Sequence, residues 1–259
     1  MMSAAGKQPR KAAFVDEVYR PNNEMHYKVN AAESAEELKT LYDAWAGDFD
    51  SWHDRVNGAN IPAVELVKFL VHHVPPPLAT RRLLDVGAST GTQAVYLQEY
   101  LQNDAPEMTA LEPSRQMLEI AKSKGLYTAF IQEALPSAKL HDLAGRFGIV
   151  MCCASLLPTH MQGEMPFREM LRAEEGGDYL VFNIRRAIID RDLGGFHTAL
   201  RKLTKEGVWE KVAEEERPYQ PDEGVTAYYY CFRKCGREAG ATKNLKAPGL
   251  VALCSGSKR

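Results

Sequence analysis

The sequence contains no uninterrupted apolar run near the roughly 18 residues that a membrane span requires. No membrane partner is therefore expected. It also lacks CxxC pairs and histidines at zinc-ligand spacing. Its five cysteines, Cys152, Cys153, Cys231, Cys235 and Cys254, are an odd set without a disulfide framework. They read as free thiols in a reducing compartment, and no metal is expected. The chain lacks an excess of either charge. A formal net charge of -2 gives no whole-chain attraction to nucleic acid or an anionic surface, so a small neutral partner fits better. The opening MMSAAGKQPRKAA lacks the apolar region of a secretory signal, so the expected location is the cytoplasm, with the nucleus as the alternative. Nothing in the sequence specifies an oligomer.

What is present is enough chain, 259 residues, for one sizeable core. Residues 1–30 mix basic, small and polar types without a period and read as a flexible tail. Ser34 and Glu37 stand at capping-box spacing, and Leu38, Leu41, Tyr42, Trp45, Phe49 and Trp52 then recur along one helical face. A second helix opens near Asn60 and Pro62, carries Leu66, Val67 and Leu70 on one side, and stops at Pro75-Pro76-Pro77.

From residue 81, short apolar runs alternate with helical segments, the signature of a parallel sheet with helices on both faces. Strands are expected at 82–86, 108–112, 127–132, 149–153 and 179–184, with helices at 92–101, 116–121, 138–143, 167–173 and 193–203. Gly176-Gly177 are read as the stop of the fourth of these helices. Residues 208–215 and 226–233 form an antiparallel pair that closes the sheet. The expectation is an α/β, Rossmann-like, seven-stranded and mostly parallel sheet with an antiparallel last strand. Residues 31–78 form an N-terminal helical lid, 79–235 the core, and 236–259 a C-terminal tail.

The chemistry is concentrated in Leu83-Leu84-Asp85-Val86-Gly87-Ala88-Ser89-Thr90-Gly91-Thr92, an apolar strand that passes through small residues into a helix. Gly87 and Gly91 allow a ligand to approach the backbone, and Ala88, Ser89 and Thr90 keep the surroundings small. A dinucleotide fingerprint would place glycines at the first, third and sixth positions, where this chain has Gly87, Ser89 and Thr92. Two of the three fail. The second strand ends at Glu112, ahead of Pro113, Ser114 and a helix with Met117. A carboxylate at that place accepts both hydroxyls of an unphosphorylated ribose. The competing reading is an acid stabilised by the dipole of the following helix. The third strand ends at Glu133-Ala134, where the acid can accept from an adenine amino group and the Ala134 N–H can donate to a ring nitrogen; an ordinary exposed loop acid is the equal alternative.

Residues 83–185 resemble a class I S-adenosylmethionine-dependent methyltransferase, through LLDVGASTG, ALEPSRQML, QEALP and FREMLRAEEGGDYLVFNIR. Asp85 and the glycines match that family's acid-x-Gly-x-Gly-x-Gly pattern. The departures are Ser89 for a glycine, Glu112 for the commoner Asp, Gly148 for an acid, and Glu174-Glu175 for Lys-Pro. Tyr42-Asp43-Ala44-Trp45-Ala46 with Phe49-Asp50 is similar to the YDxWA..YD opening of the methyltransferase-like proteins named for the Williams-Beuren syndrome chromosome region. The resemblance implies S-adenosylmethionine as cofactor and S-adenosylhomocysteine as product, with the opening helices as a lid. It implies a cofactor site made of Tyr42, Trp45, Asp85, Gly87, Ala88, Ser89, Gly91, Glu112, Pro113, Met117, Glu133, Ala134 and Cys152. Ordinary packing is the competing reading for Tyr42 and Trp45.

Catalytic residues stay unassigned; His160, after the fourth strand, reads as a surface histidine, with acceptance of a substrate proton as the alternative. Arg185-Arg186, after the fifth strand, read as solvated charge, with reception of an anionic substrate as the alternative. The expected function is transfer of a methyl group to a small-molecule acceptor. The alternatives are a catalytically silent binding protein of the same fold, or an NAD-type oxidoreductase, against which the glycine spacing argues.

Overall fold

The computed structural model describes residues 24–235. Residues 1–23 and 236–259, with Cys254 and most of the two assigned tails, lie outside the described residues. The described chain opens on α1 (Glu24–Ala31), inside the segment read as a tail. This eight-residue helix has no strong apolar stripe to reveal it. It is fixed by tertiary packing, since its Val29 is buried against Trp45 and Trp52 of α2 (Ala35–Asn57). The Ser34 hydroxyl caps α2 by accepting from the Glu37 N–H at 3.1 Å, and the Glu37 carboxylate reaches back to the Glu33 N–H at 2.7 Å. Next comes α3 (Ile61–His73), capped by Asn60 and opened by a proline in its first turn. It was expected in the lid. Leu66, Val67, Phe69 and Leu70 bury one face of it against the sheet, because all four fall on that apolar face, while its start at Asn60 and Pro62 lines the cavity described below.

The core continues as β1 (Arg82–Val86), α4 (Thr92–Leu101), β2 (Glu107–Leu111), α5 (Arg115–Ser123), β3 (Ala129–Ile131), α6 (Ala138–His141) and β4 (Phe147–Cys152). It then runs through α7 (Met165–Ala173), β5 (Glu174–Arg185), α8 (Arg186–Asp190), α9 (Phe196–Lys205), β6 (Trp209–Gln220) and β7 (Val225–Lys234). The seven strands lie in the order β3-β2-β1-β4-β5-β7-β6. All neighbours are parallel except at β7, which runs antiparallel to both β5 and β6. Helices cover both faces. Phe167, Phe196 and Leu203 pack with Leu84, Val150 and Phe182 on one, and Phe69, Leu97 and Leu118 with Leu83, Ile149 and Val181 on the other. The expected Rossmann-like architecture is the observed one. The strand order reverses between β1 and β4, and the crevice at their carboxyl ends is where such sheets receive ligands.

Two boundaries depart furthest from expectation. Gly176-Gly177 do not cap α7; the chain passes directly into β5 at Glu174, drawn into pairing with Phe147 of β4. The outermost strand β6 extends to Gln220, past Pro218, as an edge position allows. No helix among the described residues is long and apolar enough to cross a membrane.

Glu174 is fully buried, and neither carboxyl oxygen has a hydrogen-bond partner. Burial pushes its pKa up to about 9, although Lys234 acts in the opposite sense. The native chain therefore holds this proton while the unfolded chain releases it above its ordinary value of 4.5, so the destabilisation grows as pH rises from there towards about 9. Glu174→Met is expected to stabilise the fold by about 1–3 kcal/mol at neutral pH. Thermal melts across pH 5 to 9 check this, with the gain smallest at the acid end.

Candidate functional site

The loop after β1 is held open by its backbone. Gly87 takes φ +73, and a Cβ there would lie 2.1 Å from the Ser155 hydroxyl, so only glycine fits between the loops after β1 and β4. The N–H groups of Gly87 and Ala88 donate to the Leu111 carbonyl at 2.8 and 3.2 Å, which ties the loop to the end of β2. Ser89 occupies the left-handed region at φ 51, so the place where the family pattern has glycine keeps a glycine-like conformation. Its N–H then points at Glu112.

Glu112 is the centre of the arrangement. Its Oε2 accepts from the Ser89 N–H at 3.1 Å and its Oε1 from the Ser114 N–H at 2.9 Å. It is 6% exposed and lines a cavity of about 440 Å³. Burial lifts its pKa to about 7, against the lowering effect of the two backbone donors. A carboxylate oxygen has two lone pairs, so each can accept a ligand hydroxyl while keeping its backbone bond.

Gly87, Ser89, Glu112, Pro113, Glu133, Ala134, Tyr42, Trp45 and His160 all line this cavity. Asp85, Ala88, Gly91, Met117 and Cys152 do not. Asp85 is fully buried behind the loop, where the Tyr127 hydroxyl donates to it at 2.6 Å; burial raises its pKa to about 7 against that bond. Ala88 is packed in the core, Gly91 is the N-cap of α4, and Met117 approaches the site only through the Ser89 hydroxyl, 3.5 Å from its sulfur. Alternation along β4 turns Cys152 into one core face and brings Cys153 to the cavity. Glu133 lines the wall, yet its carboxylate accepts from the Ser137 hydroxyl at 2.6 Å and the Lys139 N–H at 3.2 Å, at the start of α6. These two bonds, ahead of other effects, hold its pKa below the ordinary value.

Helix α2, the expected lid, contributes Tyr42, Trp45, Phe49, Trp52 and His53 to the cavity wall. Asp43 accepts from the Ser114 hydroxyl at 2.6 Å and the Gln116 N–H at 3.3 Å, at the N-terminus of α5. Asp50, two turns further along, accepts from the hydroxyls of Thr90 (2.5 Å) and Thr92 (2.9 Å) at the N-terminus of α4, and pairs with Lys124 at 2.7 Å. Each acid meets the positive end of a helix dipole. For both, burial alone would raise the pKa, but the hydrogen bonds outweigh it and the net shift is downward. The motif contained both residues, but the partners that tie them to the core lie 40 to 74 positions away, which spacing within one helix does not encode.

His160 is not a surface histidine. Its Nε2 is 2.9 Å from the Tyr42 hydroxyl and its Nδ1 is 2.9 Å from the Thr159 hydroxyl. Burial lowers its pKa to about 4, so the ring is neutral at physiological pH. Arg185 is likewise inside rather than solvated: it is 2% exposed and lines the cavity.

No family model matches the chain, and no curated protein matches it by sequence. Solved structures do. The [4+2]-cyclase SpnF is 16% identical over 80% of this chain and 98% of its own, with a TM-score of 0.55. The 1,6-didemethyltoxoflavin-N1-methyltransferase of Burkholderia thailandensis, solved with 1,6-didemethyltoxoflavin and S-adenosylhomocysteine, is 14% identical over 79% of this chain and 92% of its own (TM-score 0.51). Magnesium protoporphyrin IX methyltransferase from Synechocystis PCC 6803, solved with S-adenosylhomocysteine, is 14% identical over 76% and 99% respectively (TM-score 0.51). The chain has the class I methyltransferase fold. That this methyltransferase fold also carries a cyclase means that the reaction must be argued from the cavity.

Proposed function

We propose that the chain binds S-adenosylmethionine and transfers its methyl group to a small-molecule acceptor. The observation that carries this reading is Glu112, a buried carboxylate at the end of β2, oriented by two backbone donors and facing the cavity. It suits the paired hydroxyls of an unphosphorylated ribose. The lining has no basic cluster in the loop after β1, where a 2′-phosphate or pyrophosphate would call for one. Gly87 provides a close backbone approach, and Ala134 an N–H at the adenine end. When bound, S-adenosylmethionine supplies an activated sulfonium methyl group. The residues of the chain then have to position and to exclude water, which Trp45, Phe49 and Trp52 on the lid do. His160, neutral and bonded through Nε2 to the Tyr42 hydroxyl that lines the cavity, is placed to take up a proton relayed by that hydroxyl from an acceptor that must lose one.

A cavity of about 440 Å³ matches a small organic acceptor rather than a polymer. Two neighbours of this fold, with small-molecule substrates in their names, support the same class. The resemblance of residues 42–50 to the Williams-Beuren region proteins extends the reading to the lid. Calorimetric titration tests it. S-adenosylmethionine and S-adenosylhomocysteine are expected to bind at micromolar concentration and NAD not at all; NAD preference, or no adenosyl binding, would sink the reading. Production of S-adenosylhomocysteine from a metabolite pool separates an enzyme from a silent binder.

A further inference from the structure

The cavity has two chemically different ends. Glu112 and Glu133 mark the end at β2 and β3, while β5 and β6 form the other, beyond β1 and β4 in the sheet. Helix α2 crosses between them: Asp43 meets the start of α5, Asp50 the start of α4, and Asn57 leads towards α3. In turn α3 packs along β6, where Glu65 pairs with Arg217 at 3.1 Å. His53, one turn before the end of α2, and Gln220, the last residue of β6, therefore share the far end. The cations among the described lining residues are engaged, Arg185 donating to the Tyr219 hydroxyl and Lys39 to Asp43. Two buried atoms at the far end, Gln220 Oε1 and His53 Nδ1, have no hydrogen-bond partner among the described residues. Gln220 is 4% exposed. The His53 ring meets those of Phe49 and Trp52 at 69° and 70°, with centroids 4.8 and 4.7 Å away, and burial keeps it neutral by lowering its pKa to about 4. An amide oxygen only accepts, and a neutral imidazole presents one ring nitrogen as an acceptor.

We infer that the far end receives an uncharged aromatic acceptor bearing two hydrogen-bond donors, O–H or N–H, one donating to Gln220 Oε1 and the other to His53 Nδ1. This deepens the methyltransferase reading and rests on it. Trp45, Phe49 and Trp52 supply apolar area for a flat ring, and the two acceptors fix its rotation. A buried acceptor without a partner has lost its hydration, so a donor that reaches it contributes more than one at an exposed site. Charge is selected against: with Arg185 committed to Tyr219, a carboxylate would give up its water without a free cation to replace it. A methylated analogue keeps the ring but lacks the donor, which makes it the matched poor ligand.

The test is calorimetric titration of the full chain, with and without saturating S-adenosylhomocysteine, using probes whose two donors stand at graded separations. These are resorcinol, 5-hydroxyindole and 2,7-dihydroxynaphthalene, each with its singly methylated, doubly methylated and ring-carboxylated derivatives. In the set whose separation fits, each methylation is expected to weaken binding by about fivefold or more, and the carboxylated form to bind more weakly than its parent. Gln220→Leu and His53→Phe should each cancel the effect of methylating one donor. The doubly methylated probe should bind these variants as well as the unaltered chain or better, because an apolar side chain replaces an unmet polar atom. Gln220→Met and His53→Leu repeat the comparison if the first variants do not fold. The inference is overturned if no parent binds, if doubly methylated probes bind as tightly as parents, or if carboxylated forms bind more tightly. It is equally overturned if the methylation penalty persists in both variants, or if both weaken every member of a set alike. If S-adenosylhomocysteine itself fails to bind, the methyltransferase reading falls, while the titrations without it still decide whether Gln220 and His53 receive donors.

Discussion

Glu112→Ala is expected to weaken S-adenosylhomocysteine binding by two orders of magnitude or more. Hydrogen bonds to a charged acceptor contribute about 1.5–3 kcal/mol each, and every 1.4 kcal/mol is tenfold, so losing the acceptor of two ribose hydroxyls exceeds hundredfold. The substitution also strands the N–H groups of Ser89 and Ser114, which bond to this carboxylate alone among side chains, and a melting-temperature loss follows. Glu112→Gln separates the effects, because its amide oxygen keeps one backbone bond without the charge. Burial holds the free carboxyl near 7, and ribose hydroxyls favour its ionised form, so binding releases a proton below that pH. Affinity should therefore rise from pH 5.5 to about 7 and level off by 8. The slope should vanish in Glu112→Gln. Calorimetry in buffers of different ionisation heat reads the proton directly, and a flat profile in the unaltered chain would mean that Glu112 does not take the ribose.

The second large effect concerns the lid. Replacing Asp43 and Asp50 together by alanine removes acceptors for the hydroxyls of Ser114, Thr90 and Thr92, the Gln116 N–H and the Lys124 ammonium. At ~1 kcal/mol per hydrogen bond, the loss is comparable with what holds one helix against a core. The expected result is at least a tenfold faster tryptic cleavage within α2 and a faster release of S-adenosylhomocysteine, with the circular dichroism of the core unchanged. Unaltered cleavage would instead assign closure to Trp45 and Trp52, which bury against Val29 of α1. Because both acids titrate below their ordinary values, the clamp persists through mildly acidic pH and opens only under strong acid.

These two sites differ in how far the sequence foretold them. Glu112 was legible because a strand with a period, its end and the next helix are all local signals, and the helix at Thr92–Leu101 falls on its expected bounds. The sheet was legible for the same reason: each buried strand is a short apolar run between polar ends. The clamp was visible only as a motif, since the partners of Asp43 and Asp50 are brought together by the fold. Arg185 was misleading in isolation. A pair of arginines after a strand reads as solvated, yet the turn into α8 sends Arg185 inward over Tyr219 and leaves Arg186 outside with Asp190 and Glu216. Cys152 shows the limit from the other side: the resemblance implied it at the cofactor site, but the pleat of β4 turns it into the core and brings Cys153 to the cavity. Short helices such as α1 and α8 carry too few residues for a period, and only their packing reveals them.

The outermost strand β6 has a further consequence. Its free side carries Glu210, Lys211, Glu214 and Glu216 in exposed positions, its register slips between Lys211 and Ala213, and Pro218 lacks an amide hydrogen. A strand from a second molecule would meet mismatched spacing, a missing donor and charged side chains on both faces of the edge. A sheet that ends in this way resists growing by recruitment, so crowding would not convert its edge into a seed for fibres.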